Sequence, residues 1–150
     1  MNVLPSSLRQ RRVFVDTSAY LALLDREDSH HAEAAAILTW LADHRFRQFT
    51  TNILVIETHA LLLSSLGHSR ARRFLEDIPK SNTVIVRASF RDEERAKAIL
   101  FKYTDKDFSF ADAISFTIME RLGVSLAFTF DRHFAQYGLT MVTTESSVNK

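Results

Sequence analysis

The chain has 150 residues, the length of one globular domain, and its 46% hydrophobic content excludes an intrinsically disordered protein. Its 19 Lys and Arg nearly balance its 18 Asp and Glu, so the overall charge neither favours nor excludes a nucleic-acid partner. The lack of cysteine excludes a disulfide scaffold and thiolate zinc sites, and it is consistent with the reducing cytoplasm, where we expect this protein. No apolar run has the length of a membrane span, and the basic N-terminus lacks the apolar segment of a signal peptide.

Strand and helix patterns alternate through the first half of the chain. Apolar runs predict strands at residues 13–15 and 49–51. Apolar residues at helical spacing predict helices at residues 19–24, 30–44, 52–66 and 69–78. Asn52 is the expected N-cap of the third helix, Gly67 ends that helix, and Pro79 ends the fourth.

The alternation continues through the second half. The predicted elements are a strand at 83–86, helices at 89–103 and 109–123, a strand at 126–130, a helical turn at 134–137 and an edge strand at 140–143. This order predicts an α/β domain with a parallel sheet of four to five strands flanked by helices. Residues 1–150 are expected to form a single domain, in which residues 1–12 are an extension ahead of the first strand.

Two aspartates follow predicted strands directly. Asp16 closes the run Val13–Val15, and Asp131 closes the strand at 126–130. If both strands belong to one parallel sheet, their carboxyl ends open on the same crevice, where α/β folds bind ligands. Helix capping is an equally good explanation of each aspartate taken alone, because a helix or helical turn follows both.

Two further acids lie in predicted helices. Asp112 is three residues after Ser109, so a capping box explains it about as well as a functional role does. Glu57 has apolar neighbours three and four residues away on either side, which predicts an apolar stripe around it rather than a solvated face. A buried carboxylate needs a partner, and either a metal ion or an arginine from elsewhere would serve.

Four carboxylates in one crevice predict a cation. Two carboxylates about 4 Å apart repel by roughly 4 kcal/mol at an effective dielectric constant of 20. All-oxygen ligation favours Mg²⁺ or Mn²⁺ over zinc, and such ions suit phosphoryl chemistry. Ser18 and Thr129 are candidates for placing hydroxyl groups beside these acids, although capping and strand packing explain them equally well.

The remaining polar residues carry weaker signals. The six histidines show no pair with the helical spacing of a zinc site. Basic residues cluster at Arg9, Arg11 and Arg12, at Arg70, Arg72 and Arg73, and at Arg132 and His133. Each cluster is a candidate for binding a phosphate backbone, although most such clusters are solvated faces.

The motifs together resemble the PIN domain family, with the VapC-type toxins as the most similar branch. The resemblance runs from about residue 13 to 138 and is carried by VFVDTS at 13–18, by TN at 51–52 leading to Glu57, by SFADA at 109–113 and by FTFDRHF at 128–134. It implies a parallel sheet sandwiched by helices and a Mg²⁺- or Mn²⁺-dependent endoribonuclease. The family's acidic quartet falls on Asp16, Glu57, Asp112 and Asp131.

The resemblance also implies a mechanism and partners. Asp16, Asp112 and Asp131 would hold the ion for hydrolysis of an RNA phosphodiester, and Glu57 would complete the site or orient the attacking water. Ser18 and Thr129 would contact metal-bound water. Expected partners are RNA, a second copy of the chain and a small antitoxin whose arginine enters the acidic site. Among the basic residues, the candidates for RNA binding are Arg11, Arg12, Arg70, Arg73 and Arg132.

Other functions stay open from the sequence. A PIN-like domain without activity would serve as a binding module. Phosphoaspartate enzymes also use acids at strand ends, but the haloacid-dehalogenase type has a second Asp where Ser18 stands, and a receiver domain has an Asp where residues 87–89 stand. The apolar content of residues 19–24 and 53–66 exceeds what one small sheet covers, which predicts an interface.

Overall fold

The computed structural model describes residues 11–144, which form one five-stranded sheet with helices on both faces. The strands are β1 (Arg12–Val15), β2 (Arg47–Thr51), β3 (Val84–Val86), β4 (Leu126–Phe128) and β5 (Thr140–Met141). The helices are α1 (Thr17–Leu24), α2 (His31–Asp43), α3 (Asn52–Leu66), α4 (His68–Asp77), α5 (Phe90–Lys102), α6 (Phe110–Leu122) and α7 (His133–Tyr137), and a 3₁₀ turn (Ile78–Lys80) follows α4. All strand pairs are parallel, in the spatial order β3-β2-β1-β4-β5. The predicted α/β sandwich is confirmed.

Strand β1 lies at the centre of the sheet and is buried on both faces. Val13 and Val15 pack with α1, α2 and α4, whereas Phe14, pointing the other way, packs with α5, α6 and α7. Burial on both faces explains the continuous apolar run of β1, which is typical of parallel sheets. Because every strand runs in the same direction, the carboxyl ends of β1 and β4 meet at one edge of the sheet.

Helices α5 and α6 form an antiparallel hairpin with nearly identical beginnings. Each starts with a capping box, Ser89 with Asp92 in α5 and Ser109 with Asp112 in α6. Near the far end of α6, the Arg121 guanidinium donates two hydrogen bonds of 3.0 Å to the carboxylate of Asp92. Since the end of α6 pairs with the beginning of α5, the end of α5 lies level with the beginning of α6.

The N-cap predicted for α3 was wrong by one residue. Thr51 is the cap, and its hydroxyl accepts a hydrogen bond from the Leu54 N–H at 3.1 Å. Asn52 is the first helical residue, and its side-chain oxygen accepts a hydrogen bond from the Ala88 N–H at 2.9 Å. Sequence spacing could not reveal this long-range bond, which ties the loop after β3 to the beginning of α3.

The predicted strand at 126–130 is two residues too long. Strand β4 ends at Phe128 because the following N–H groups donate to side chains instead of to a neighbouring strand. The Phe130 N–H donates to Ser18 Oγ at 2.9 Å, and the Asp131 N–H donates to Thr129 Oγ1 at 3.0 Å. Strand β5 is also shorter than the predicted 140–143 and covers Thr140–Met141.

Helix α3 is apolar on more faces than it buries. Leu54 and Leu62 are in the core, but Ile56, Leu61 and Leu63 are exposed. The stripe predicted around Glu57 is therefore buried only in part, and Glu57 itself is half-buried between the core side and the exposed side. Among residues 11–144, no helix has both the length and the apolar character needed to cross a membrane.

Candidate active site

Asp16 lies at the carboxyl end of β1 and is almost completely buried, with 5% of its surface exposed. Its Oδ2 accepts hydrogen bonds from the Ser18 N–H at 3.3 Å, from Ser18 Oγ at 2.8 Å and from Thr129 Oγ1 at 2.9 Å. Capping of α1 is therefore confirmed as one role of Asp16. Its other oxygen, Oδ1, receives no hydrogen bond from the described residues, so it is available to a ligand.

Ser18 and Thr129 join the ends of β1 and β4. Each hydroxyl donates to Asp16 Oδ2 and accepts from a backbone N–H that follows β4, from Phe130 for Ser18 and from Asp131 for Thr129. The two hydroxyl oxygens lie 3.1 Å apart. Both side chains thus hold Asp16 in position and set the direction of the chain into Asp131. Their predicted contact with metal-bound water stays a prediction.

Asp112 and Asp131 meet at a histidine that the sequence did not single out. His133 Nδ1 lies 3.0 Å from Asp112 Oδ2 and 3.4 Å from Asp131 Oδ1, contacts that need a proton on Nδ1. One ligand atom from each of these three residues lies within 4.8 Å of the others. The edge of the Phe108 ring packs on the imidazole with centroids 5.5 Å apart.

Both aspartates also have structural roles. Asp112 Oδ2 accepts from the Ser109 N–H at 3.1 Å, which confirms the predicted capping box. Asp131 Oδ1 accepts from the His133 N–H at 2.9 Å and shapes the turn into α7. These bonds orient both carboxylates and leave them compatible with ligand binding. Asp131 is not the N-cap of α7, however, because that position is taken by Arg132.

Glu57, which lies on α3, is the fourth of the predicted acids. Burial raises the pKa of Glu57, and the negative charges of Asp16, Asp112 and Asp131 raise it further. Burial also raises the pKa of Asp16, against the opposing hydrogen bonds from Ser18 and Thr129, and the charge of Asp112 adds to this rise. The four predicted acids thus lie near one another at the carboxyl edge of the sheet, and their roles as ligands or catalysts stay a prediction.

The chemistry of these donors fits a divalent cation. A cation would lower the pKa of both raised carboxyl groups, because it favours their charged form. Oxygen donors from Asp16, Asp112, Asp131 and Glu57 suit Mg²⁺ or Mn²⁺. A family model described as "PIN domain" matches residues 13–139, a range that contains every one of these residues. The chain belongs to the PIN domain family.

Relatives of this PIN domain are named as ribonucleases. The 23S rRNA-specific endonuclease VapC20 of Mycobacterium tuberculosis (strain ATCC 25618 / H37Rv) is 34% identical over 134 residues, which cover 89% of this chain and 99% of that protein. The VapC ribonuclease of Archaeoglobus fulgidus is 29% identical over 124 residues, covering 81% of this chain and 78% of that protein. The crystal structure of M. tuberculosis VapC20, described as a sarcin-ricin loop cleaving toxin, matches 87% of this chain and 98% of its own with a TM-score of 0.81 and 29% identity.

The basic residues of this PIN domain are spread over several surfaces. Arg11 donates to the His44 carbonyl at 2.9 Å and Arg12 donates to the Leu122 carbonyl at 2.7 Å, both at the amino end of β1, opposite the acids. Arg70 donates to the Leu24 carbonyl at 2.8 Å, and Arg73 is exposed on α4. Arg132 is exposed beside Asp131 and is the candidate adjacent to the acidic group. RNA binding by these five arginines stays a prediction, and Arg9 lies outside the described residues.

His133 is the site residue that sequence reasoning missed. It was grouped with Arg132 as part of a basic cluster because a single histidine carries no metal-site spacing of its own. The signal was its position two residues after Asp131 at a strand end, where a short turn brings both side chains to one side. Only the approach of α6, which carries Asp112, shows that the histidine lies between two carboxylates.

Proposed function

We propose that this PIN domain is a metal-dependent endoribonuclease and the toxin of a toxin–antitoxin pair. The observation that carries the proposal is the proximity of Asp16, Glu57, Asp112 and Asp131 at the carboxyl ends of β1 and β4, where burial raises the pKa of Asp16 and the pKa of Glu57, and the charges of neighbouring acids raise both further. The names of the VapC relatives support RNA as the substrate. Since one relative is named for 23S rRNA, ribosomal RNA is the first substrate to test.

Each residue has a defined part in the proposed hydrolysis. Asp16, Asp112 and Asp131 would hold Mg²⁺ or Mn²⁺, which when bound supplies charge stabilisation to phosphate oxygens and activates water. Ser18 and Thr129 keep Asp16 Oδ2 occupied, so that Oδ1 serves the ion. Glu57, whose pKa is raised, is suited to accept the proton of the attacking water. Water adds to phosphorus, one P–O ester bond breaks, and the leaving oxygen takes a proton from solvent.

Two protein partners belong to the proposal. Ile56 and Leu63 are exposed and seven residues apart, so they share one face of α3 and offer an apolar surface that suits a homodimer. A small antitoxin would bind over the acidic group and place an arginine there, because a cationic side chain satisfies clustered carboxylates as an ion does. We place this activity in the cytoplasm, where ribosomal RNA and a cognate antitoxin are present.

Cleavage of RNA by the purified protein tests the proposed function. The wild type should cleave ribosomal RNA in Mg²⁺ or Mn²⁺ and stop on addition of EDTA, and Asp16→Asn should abolish cleavage while the fold persists. Asp43→Asn is the matched control, since Asp43 is exposed at the end of α2, outside the acidic group. A wild type that binds but never cleaves ribosomal or total cellular RNA would favour the binding-module alternative.

A further inference from the structure

The three aspartates of the acidic group each use one carboxylate oxygen for all their hydrogen bonds. Asp16 uses Oδ2, which accepts from Ser18 and Thr129. Asp112 also uses Oδ2, whereas Asp131 uses Oδ1. Among the described residues, no donor reaches the second oxygen of any of the three. The fold therefore occupies one oxygen of each aspartate and leaves the other to a ligand.

His133 is the side chain that Asp112 and Asp131 share. Its Nδ1 lies 3.0 Å from Asp112 Oδ2 and 3.4 Å from Asp131 Oδ1. A proton on Nδ1 thus faces two carboxylates that belong to different elements, α6 and the loop after β4. Without this proton, the lone pair of the nitrogen would face two negatively charged oxygens. Nδ1 is therefore placed as a hydrogen-bond donor to both carboxylates and not as a ligand of an ion.

The imidazole of His133 is held in this direction by the fold. Its own backbone N–H donates to Asp131 Oδ1 at 2.9 Å, which fixes the base of the side chain. Phe108, which is buried, packs perpendicular to the ring with centroids 5.5 Å apart. Phe108 is held in turn by Phe116, whose ring centroid lies 5.1 Å away. The position of Nδ1 is thus set by core packing before any ion binds.

We propose that His133 is a positioning residue for the ion, whose Nδ1–H holds Asp112 Oδ2 and Asp131 Oδ1 together and leaves the second oxygen of each to the ion. The inference rests on the proposed function, in which both aspartates hold Mg²⁺ or Mn²⁺. Ligands that are oriented in advance bind more tightly, because less conformational freedom is lost on binding. Ser18 and Thr129 give Asp16 the same support from the ends of β1 and β4.

Two substitutions separate the hydrogen bonds of His133 from its volume. In His133→Asn, the amide nitrogen is attached to Cγ, as Nδ1 is, so it can donate to the same carboxylate oxygens. His133→Ala has no donor. Both variants lose the imidazole ring and its packing on Phe108. A difference in ion affinity between the two variants therefore reports the donor and not the lost packing.

Calorimetric titration of the purified protein with Mn²⁺ and with Mg²⁺ measures the effect in the absence of RNA. His133→Ala should weaken the binding of each ion about 10- to 100-fold, the usual cost of losing a partner of a ligand. His133→Asn should recover most of this loss. His68→Ala is the matched control and should bind both ions as the wild type does, because His68 is exposed at the beginning of α4, outside the acidic group. Melting curves without metal check that each variant is folded.

Nitrogen NMR of the imidazole gives a second readout that does not depend on activity. Nδ1 of His133 should carry a proton in the metal-free protein and should keep it at saturating Mg²⁺, because the donor stays between the two carboxylates. Loss of this proton on addition of Mg²⁺, with a shift of the nitrogen signal that indicates coordination, would overturn the inference, since His133 would then be a ligand.

The outcomes of the titration separate this inference from the proposed function. If His133→Ala binds both ions as tightly as the wild type, His133 does not position the ligands. If His133→Asn recovers none of the lost affinity, the ring and not the donor is responsible, which also overturns the inference. A wild type that binds the ions but cleaves no RNA would reject the proposed function alone. A wild type that binds neither ion would reject both.

Discussion

The two capping boxes of the hairpin offer a direct test of the site, because they share one geometry and differ in their surroundings. In α5, the carboxylate of Asp92 is buried and accepts two hydrogen bonds from Arg121. In α6, the equivalent carboxylate of Asp112 has His133 and the other acids as neighbours. An Asp→Asn change keeps an oxygen for the cap in either box and removes the charge. The two variants should therefore behave in opposite ways.

For Asp92→Asn we expect a loss of stability. Burial would raise the pKa of Asp92, but the hydrogen bonds and the charge of Arg121, together with those from Ser89, lower it below its ordinary value of 3.8. Breaking a buried ion pair costs about 3–5 kcal/mol, and since Arg121 is partly exposed we expect about 2–3 kcal/mol here. For a domain of this size, this corresponds to a melting temperature lower by about 5–10 °C.

For Asp112→Asn we expect little loss of stability. The amide oxygen can still accept the Ser109 N–H, and the variant relieves repulsion with Asp16 and Glu57. The melting temperature of the metal-free protein should change by less than about 3 °C. Asp112→Ala removes the cap as well, and it should be less stable than Asp112→Asn by about 1 kcal/mol.

Scanning calorimetry with and without Mn²⁺ measures both the stability of each variant and its response to the ion. An ion at a hundred times its dissociation constant stabilises the native state by about 2.7 kcal/mol, so the wild type and Asp92→Asn should both melt several degrees higher with Mn²⁺. Asp112→Asn should lose this rise. If Mn²⁺ raises the melting temperature of Asp112→Asn as much as that of the wild type, Asp112 is not a ligand. If Mn²⁺ no longer raises the melting temperature of Asp92→Asn, the capping box of α5 also affects ion binding, which would contradict the purely structural role given to Asp92.

Two further predictions follow from burial and exposure. Because burial raises the pKa of Asp16, the folded state binds its proton more tightly than the unfolded chain does. The metal-free protein should therefore lose stability as the pH rises from the ordinary value of 3.8 through the raised pKa. Asp16→Asn should show a smaller loss in thermal melts across that range, the remainder coming from Glu57, whose pKa burial also raises. If the proposed homodimer forms through α3, Ile56→Asp should give monomers in light scattering, whereas Leu75→Asp, an equivalent change at an exposed leucine of α4, should leave the dimer intact. A monomeric wild type would reject the proposed dimer.

The parallel α/β architecture and three of the candidate acids were accessible from the sequence because their signals are local. A buried parallel strand must be apolar throughout, so β1 was recognisable from Val13–Val15. An acid directly after such a strand lies at the carboxyl edge of the sheet whatever the rest of the fold does. The capping box of Ser109 and Asp112 also depends on residues only three positions apart. Asp16 and Asp112 were therefore identified together with their capping roles, whereas Asp131 lies three residues after the end of β4 and is not the N-cap of α7.

The three-dimensional contacts of these residues were decided by the tertiary structure alone. Thr51, not the predicted Asn52, caps α3. The side-chain oxygen of Asn52 instead accepts a hydrogen bond from the N–H of Ala88, which is distant in sequence. His133 became a neighbour of two carboxylates because α6 and the end of β4 approach each other. A hydrogen bond between residues more than a hundred positions apart leaves no periodic pattern in the sequence. The bond from the Phe130 N–H to Ser18 Oγ could therefore not be predicted. Local patterns place acids at an edge of the sheet, and long-range packing determines which atoms face one another.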